Sequence, residues 1–240
     1  MKDKKILAAI ARETLHLLPV TRYPLPTIIE IGPGHGELTQ RLLALSGELQ
    51  VIGIEKDGKL IPHLSALQER YKNFEIVAGD VRNVLPELAK SLKLKAKTCT
   101  IVGNIPYYLT GYLLRLLGDL VTHYPLLITK VVLLVQKEVA ERVCAMPPHM
   151  NLLAAAVQFW AVPRIAAKVP PGTFSPPPKV SSAVLILTPH EPPPSHEEAL
   201  RYYALIKKLF RHPRKTAHNN LVNKSIPPIL QKLTWANINP

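Results

Sequence analysis

Between residues 27 and 135 the chain alternates short apolar runs, rich in Ile and Val, with longer segments of mixed polarity. Such short runs are typical of strands in a parallel sheet, because these strands are covered on both faces. The longer segments have the length of helices that cross from one parallel strand to the next, which predicts an α/β fold with a mostly parallel sheet. The predicted strands are 27–31, 51–54, 74–78, 99–103 and 131–135.

The two ends of the chain depart from this alternation. Residues 4–18 carry apolar positions at an approximately helical spacing and predict a helix. Residues 182–187 predict a further strand, and the proline-rich crossover that leads into it favours an antiparallel neighbour. Residues 188–199 contain four prolines and no large apolar residue, which is typical of a linker. We therefore predict an α/β domain over 1–188 and a small helical domain over 189–240.

Charge narrows the class of partner. Lys and Arg number 30 against 17 Asp and Glu, a formal net charge of +13, which indicates a polyanionic partner such as nucleic acid. No apolar stretch reaches the roughly 18 residues of a membrane span, so no membrane anchor is predicted. Two isolated cysteines, Cys99 and Cys144, favour a reducing cytoplasm. The histidines form no close cluster, and no metal site is predicted.

The segment "IIEIGPGHGELT", residues 28–39, has the pattern of a strand, a tight glycine turn and a helix. Its glycines, Gly32, Gly34 and Gly36, remove side chains where a ligand would approach the backbone, and the helix that follows presents free amides. Glycines that serve only the turn would give the same pattern. The loop therefore predicts a ligand site only in combination with other residues.

Acidic residues follow the next two predicted strands. Glu55 comes about 20 residues after the glycines, where a carboxylate can accept both ribose hydroxyls of an adenosyl ligand. Asp80 ends the third strand in "AGDV", where a carboxylate can accept from an exocyclic amine. Lys56 and Val81, the residues immediately after these acids, are predicted to line the same cofactor site.

The glycine spacing and one further acid distinguish between adenosyl cofactors. A dinucleotide fingerprint has its third glycine at the sixth position, but here that position is Glu37 and the glycine comes one residue early. Glu30 places a carboxylate just beneath the loop, where it would repel a pyrophosphate. The ammonium and sulfonium of S-adenosylmethionine suit this position, and we predict this cofactor.

The fourth strand runs into "GNIPYYLT", residues 103–110. At this edge of an open α/β sheet Asn104 would lie beside the transferable methyl group. Its side-chain oxygen and a neighbouring carbonyl can accept both hydrogens of an amine and align the nitrogen lone pair. Pro106 stiffens the turn, Tyr107 can stack on a base, and Phe174 in "GTFSPPPKVSSAV" is the predicted second ring. These four residues are the predicted catalytic group.

Seven segments, taken in order along the chain, resemble the KsgA-type ribosomal RNA adenine dimethyltransferases. They are "EIGPGHGELT", "GIEKD", "AGDV", "GNIPYYLT", "VQKEVAERV", "FSPPPKVSSAV" and "RKTAHNNL". Many other amino-methyltransferases carry Asp/Asn-Pro-Pro-Tyr, so Ile105 favours the ribosomal branch. The resemblance implies a Rossmann-like domain with a seven-stranded, mostly parallel sheet and a small C-terminal helical domain. It further implies dimethylation of two adjacent adenines in a hairpin loop near the 3′ end of small-subunit rRNA.

The resemblance also assigns roles to residues. It implies that Asn104, Tyr107 and Phe174 hold the target adenine, and that the substrate is the immature small ribosomal subunit. We expect the protein to be a monomer. The residues that would contact the cofactor are Glu30, Gly32, Gly34, Glu55, Asp80 and Asn104. The basic C-terminal residues expected to bind RNA phosphates are Lys207, Lys208, Arg211, Arg214 and Lys215.

Three alternatives stay open. An Erm-type methyltransferase of large-subunit rRNA shares the fold and the Asn-x-Pro-Tyr motif, although "PRKTAHNNL" and "FSPPPKVSSAV" favour the small-subunit branch. A non-catalytic RNA-binding assembly or transcription factor would use the same scaffold, and the positive charge disfavours a small-molecule methyltransferase. The family pattern also has a Gly-Gln-x-Phe-Leu segment before the equivalent of "MKDKKIL", and without this segment we expect weaker binding of the cofactor or of RNA. The family pattern continues into further helix after the equivalent of "WANINP", so we expect a shortened C-terminal domain.

Overall fold

The structure is a computed structural model that describes residues 4–15, 27–47, 49–94, 98–125, 127–212 and 220. Its centre is a seven-stranded sheet with the order β3-β2-β1-β4-β5-β7-β6. The first five strands are parallel, and β7 pairs antiparallel with both β5 and β6. The strands are β1 (Thr27–Ile31), β2 (Val51–Glu55), β3 (Phe74–Ala78), β4 (Cys99–Asn104), β5 (Ile128–Gln136), β6 (Ala161–Val169) and β7 (Ser182–Pro189).

Helices cover both faces of the sheet. One core contains apolar side chains of α1, α2 and α3, and the other contains those of α4, α5, α6 and α7. Ile28 of β1 lies in the first core while Ile29 and Ile31 lie in the second, as the two-residue period of a strand requires. The helices are α1 (Lys4–Leu15), α2 (Glu37–Ser46), α3 (Ile61–Arg70), α4 (Val81–Leu94), α5 (Thr110–His123), α6 (Lys137–Val143), α7 (Leu152–Gln158) and α8 (His196–Leu209).

The predicted α/β fold with a mostly parallel sheet is confirmed. The predicted bounds of β1 and β3 are also those of the structure, whereas β4 continues to Asn104 and β5 covers Ile128–Gln136. The first helix begins as predicted and is described to Leu15, and residues 16–18 lie outside the described residues. Of the helices that the structure describes, none combines the length and the apolar character needed to cross a membrane.

The last part of the sheet was only partly predicted. β7 pairs antiparallel with β5, as expected, with Leu133 opposite Leu185. The predicted connection was wrong, because α6, α7 and β6 lie between these two strands in the chain. Sequence reasoning missed β6 because it contains Pro163 and exposed polar residues. A proline without an N–H is tolerated on an edge strand, and β6 is at the edge of the sheet.

Helix α8 begins at a capping box and packs on α7. The Ser195 hydroxyl accepts from the Glu198 amide, and the Glu198 carboxylate accepts from the Ser195 amide. The Tyr202 ring stacks on Phe159 with centroids 4.2 Å apart, and its hydroxyl donates to the Ala155 carbonyl at 3.1 Å. The predicted domain boundary between residues 188 and 189 stays a prediction.

Candidate active site

Four parallel strands end at the same edge of the sheet, and a cavity of about 380 Å³ lies there. Ligands of open α/β sheets bind at this carboxyl edge because the loops that follow the strands form a crevice. Predicted residues from four different loops meet in the cavity wall. They are Gly32, Glu55, Lys56, Asp80, Val81 and Pro106.

The glycines of the first loop have different surroundings. Gly32 has φ +67°, and a Cβ there would lie 3.9 Å from the Asn104 carbonyl oxygen, facing the fourth-strand end. Gly36 has φ +78° and is buried at the start of α2, where a Cβ would come within 2.6 Å of Leu67 Cδ1. Gly32 therefore opens the cavity wall, whereas Gly36 allows α2 to pack against α3.

Glu55 joins two of the loops. One carboxylate oxygen accepts from the Gly34 amide at 3.0 Å, and the other accepts from the Asp57 amide at 2.9 Å. The side chain is buried at the end of β2 and lines the cavity. Each oxygen keeps a second acceptor site, so Glu55 can still accept hydroxyl groups from a ligand.

Glu30 lies behind the glycine loop and not in the open cavity. It is 1% exposed, and Oε2 accepts a hydrogen bond of 2.7 Å from the Thr39 hydroxyl. Burial raises the pKa of Glu30 from 4.5 to about 7, although the Thr39 hydrogen bond acts in the opposite direction. A cation placed above the loop would favour the charged form of this carboxyl.

Asp80 lies between β3 and α4 and is held by two cations. Oδ1 accepts from the backbone amide of Arg82 at 3.0 Å and from its Nε at 2.9 Å. Oδ2 accepts from Arg82 Nη2 at 2.6 Å and lies 3.1 Å from Lys56 Nζ. The hydrogen bonds from Arg82 are the main reason why the pKa of Asp80 lies well below its usual range. The predicted acceptor for an amine is therefore already engaged.

Three of the four predicted catalytic residues, Asn104, Pro106 and Tyr107, lie at the end of β4 or directly after it. Asn104 is exposed, and its side-chain amide makes no hydrogen bond to any described residue. Tyr107 is 37% exposed, and its hydroxyl lies 3.2 Å from the hydroxyl of Ser182. Phe174 is half-buried against the core that contains α1, α2 and α3. No ring contact joins Tyr107 and Phe174 in the part of the chain that is described.

The predicted RNA-binding residues that the structure describes are not among those that line the cavity. Lys207 and Lys208 are exposed in the last turn of α8, and Arg211 is exposed just beyond it. Arg214 and Lys215 lie outside the described residues.

Sequence reasoning missed several residues of the site. Arg82 and Tyr108 line the cavity, and Thr39 and Ser182 hold the side chains of Glu30 and Tyr107. A signal existed only for Arg82, because an acid followed two residues later by a cation at a helix start can bond back to it. Ser182 is 75 residues from Tyr107 in the chain, and no local pattern connects the two.

The chain is similar to known proteins over most of its length. The model of the ribosomal RNA adenine dimethylase family matches residues 1–240. This chain belongs to that family. It is similar to ribosomal RNA small subunit methyltransferase A of Dehalococcoides mccartyi, with 36% identity over 90% of this chain and 73% of that protein. A protein of the same name from Synechococcus elongatus is 38% identical over 82% of this chain and 72% of its own length.

Two solved structures resemble this adenine dimethylase over most of its length. A dimethyladenosine transferase from Plasmodium falciparum is 28% identical, with a TM-score of 0.69 over 92% of this chain and 74% of that chain. The 23S rRNA methyltransferase ErmE, at 24% identity, has a TM-score of 0.71 over 93% of this chain and 84% of that chain, and shares the fold. The predicted family, the predicted fold and the prediction of an rRNA adenine dimethyltransferase are confirmed.

The cavity of the dimethylase also fits its cofactor, S-adenosylmethionine. The carboxylate of Glu55 suits ribose hydroxyls, and Glu30 places a titratable acid behind the loop. The carboxylate of Asp80 suits an amine once a side chain of Arg82 or Lys56 leaves it. The positive φ of Gly32 leaves the wall open where a Cβ would otherwise project. The Gly34 amide is already bonded to Glu55, so this amide of the loop is not available to a phosphate.

Proposed function

We propose that this dimethylase transfers methyl groups to the exocyclic amines of two adjacent adenines in a hairpin loop near the 3′ end of small-subunit rRNA. The observation that carries the proposal is the Asn104 side chain, which lies exposed and without a hydrogen bond to the described residues, at the strand end beside Gly32. A planar base with an amino group is the ligand that an unengaged amide and nearby aromatic rings would accept.

In this proposal the protein acts by orientation. S-adenosylmethionine supplies an already activated methyl group, so no strong base is required. The Asn104 oxygen accepts one hydrogen of the adenine amine and directs the nitrogen lone pair. Tyr107 stacks on the base, and its hydrogen bond to Ser182 fixes the plane of its ring. Phe174 covers the other face, and Pro106 keeps the strand-to-helix turn rigid.

The choice of the small subunit is supported by the names of the similar proteins. Both relatives above are small-subunit methyltransferases, whereas the large-subunit enzyme ErmE is similar only at the level of the fold. A non-catalytic RNA-binding factor would have no need for an unengaged Asn104 beside a cavity that contains Glu55 and Asp80. The net charge of +13 likewise favours a polyanionic substrate over a small molecule.

We further propose the form of the substrate, the oligomeric state and compartment of the enzyme, and its RNA-binding domain. The substrate form is the immature small ribosomal subunit, and the enzyme acts as a monomer in the cytoplasm. Residues 189–240 form the RNA-binding domain, in which Lys207, Lys208, Arg211, Arg214 and Lys215 bind phosphates. These contacts would make RNA affinity fall steeply with salt concentration.

The test is methyl transfer from labelled S-adenosylmethionine to undermethylated small ribosomal subunits. Wild type should produce dimethyladenine, and Asn104→Ala should reduce the rate about 100-fold or more, because the amine is no longer oriented. Asn83→Ala is the matched control, since Asn83 is exposed on α4 and its side chain bonds to no described residue. Label in large-subunit RNA would move the assignment to that branch, and tight subunit binding without label would indicate a binding factor.

A further inference from the structure

The acceptor capacity of Asp80 is full in the structure. A carboxylate has about four acceptor positions, two on each oxygen. Here Oδ1 has two donors from Arg82, and Oδ2 has one from Arg82 and one from Lys56. The backbone amide of Arg82 is fixed at the start of α4. A ligand amine can therefore reach Asp80 only if a side chain of Arg82 or Lys56 leaves.

Arg82 is the side chain whose departure matters most. It supplies two of the three side-chain contacts to Asp80 and grips both oxygens at once. Its side chain is 50% exposed, against 16% for Asp80, so the guanidinium can turn outward while the carboxylate stays in place. Lys56 makes a single contact and is 66% exposed.

An alternative partner for the guanidinium comes with the substrate. The target base must reach Asn104, and the segment after it contributes Pro106 and Tyr108 to the same cavity wall as Arg82. Tyr108 is 84% exposed, so this part of the wall is open to solvent and accessible to RNA. A phosphodiester offers two oxygens in a geometry that suits a guanidinium as well as a carboxylate does.

From this arrangement we infer that Arg82 is a positioning residue that covers the amine acceptor Asp80 until an RNA phosphate draws the guanidinium away, so that RNA binding and cofactor binding favour each other. The inference rests on the proposed function, because it takes the adenine amine of the cofactor as the ligand of Asp80. By linkage, RNA must tighten cofactor binding by the same factor by which the cofactor tightens RNA binding.

The experiment measures the affinity of the full chain for S-adenosylhomocysteine by calorimetry, with and without a hairpin RNA that carries the loop adenines. Arg82→Gln without RNA should bind about two- to fivefold tighter than wild type, the range expected for a half-exposed ion pair. RNA should tighten binding to wild type by a similar factor and leave the affinity of Arg82→Gln unchanged. Lys90→Gln removes one positive charge from the same helix without contact to Asp80, and it should behave as wild type.

A second ligand separates this role from a general loosening of the loop. The analogue of S-adenosylhomocysteine that has hydrogen in place of the 6-amino group offers no donor at this edge of the base, so it gains nothing from a freed Asp80. Arg82→Gln and Arg82→Met should therefore bind the amine ligand tighter and the analogue without the amine no tighter than wild type. Equal gains for both ligands would overturn the inference.

Two further results would also overturn it, and they differ in what they leave standing. If wild type methylates RNA but Arg82→Gln binds the amine ligand no tighter, or RNA affects both proteins equally, Arg82 has no such role and the proposed function remains. If no variant binds the cofactor and wild type transfers no methyl group, the proposed function fails as well.

Discussion

The carboxyls at the ends of β1 and β3 are chemically alike and have opposite environments. Glu30 is 1% exposed and has one hydroxyl donor, and burial raises its pKa to about 7. Asp80 lies at the cavity rim with two cations, and hydrogen bonds from Arg82 keep its pKa well below the usual range. At the same edge of the sheet, desolvation is therefore the main influence on the pKa of Glu30, whereas donated hydrogen bonds are the main influence on the pKa of Asp80.

This difference separates two ways of accommodating a positively charged or amine-bearing ligand. Glu30 changes its protonation, because a cation above the loop would favour its charged form. Asp80 stays charged and changes its partner. Substitutions of Glu30 and of Asp80 should therefore change the free energy of unfolding over different pH ranges.

The largest expected effect is that of Glu30→Gln. The folded pKa of Glu30 lies above its unfolded value of 4.5, so the native chain binds more protons and loses stability as pH rises from about 4.5 to about 7. Glu30→Gln removes this loss and should be more stable than wild type by on the order of 3 kcal/mol at pH 8. Urea unfolding at pH 5 should show a gain of less than about 1 kcal/mol. A gain that does not depend on pH would show that Glu30 does not titrate as described.

A smaller effect is expected for Thr39→Val, which keeps the shape and removes the hydroxyl. The hydrogen bond from Thr39 lowers the pKa of Glu30, so its loss should raise that pKa further. We expect a loss of about 1–2 kcal/mol at pH 8, where Glu30 is charged, and about half of this at pH 5. Thr39→Ser retains the donor and should stay close to wild type in the same urea titrations.

The smallest effect is expected for Asp80→Asn. The folded pKa of Asp80 is lowered, so its contribution to stability is present above the unfolded value of 3.8 and is lost as pH falls below it. Because its partners are half-exposed, Asp80→Asn should cost less than about 1 kcal/mol at pH 7 and still less at pH 3. A loss that grows toward acid pH would contradict the sign of this shift.

The parallel half of the sheet could be predicted because its strands are short apolar runs, of which β1, β2 and β4 are buried along almost their whole length. The acids that follow the strands then meet at one edge. β6 could not be predicted in this way, since an edge strand tolerates Pro163 and exposed side chains. Edge position alone does not hide a strand, because β3 lies at the opposite edge and its apolar run was predicted.

The site shows the same limit. The positions of Gly32, Glu55 and Asp80 follow from strand ends alone, whereas the partners of these residues depend on tertiary contacts. Gly36 was predicted to bind the cofactor, and its close neighbour Leu67 comes from a helix that begins 25 residues later in the chain. The roles of all these residues stay predictions until variants are assayed.

Glu55 has a consequence for how binding begins. Its carboxylate holds the Gly34 and Asp57 amides together within the free protein. The conformational entropy of these two loops is therefore lost when the chain folds, and none of it has to be lost again when a ribose arrives. The cavity is therefore preorganised around Glu55, and the cofactor should bind to this part as to a rigid surface. Any slow conformational adjustment would come from other residues of the cavity.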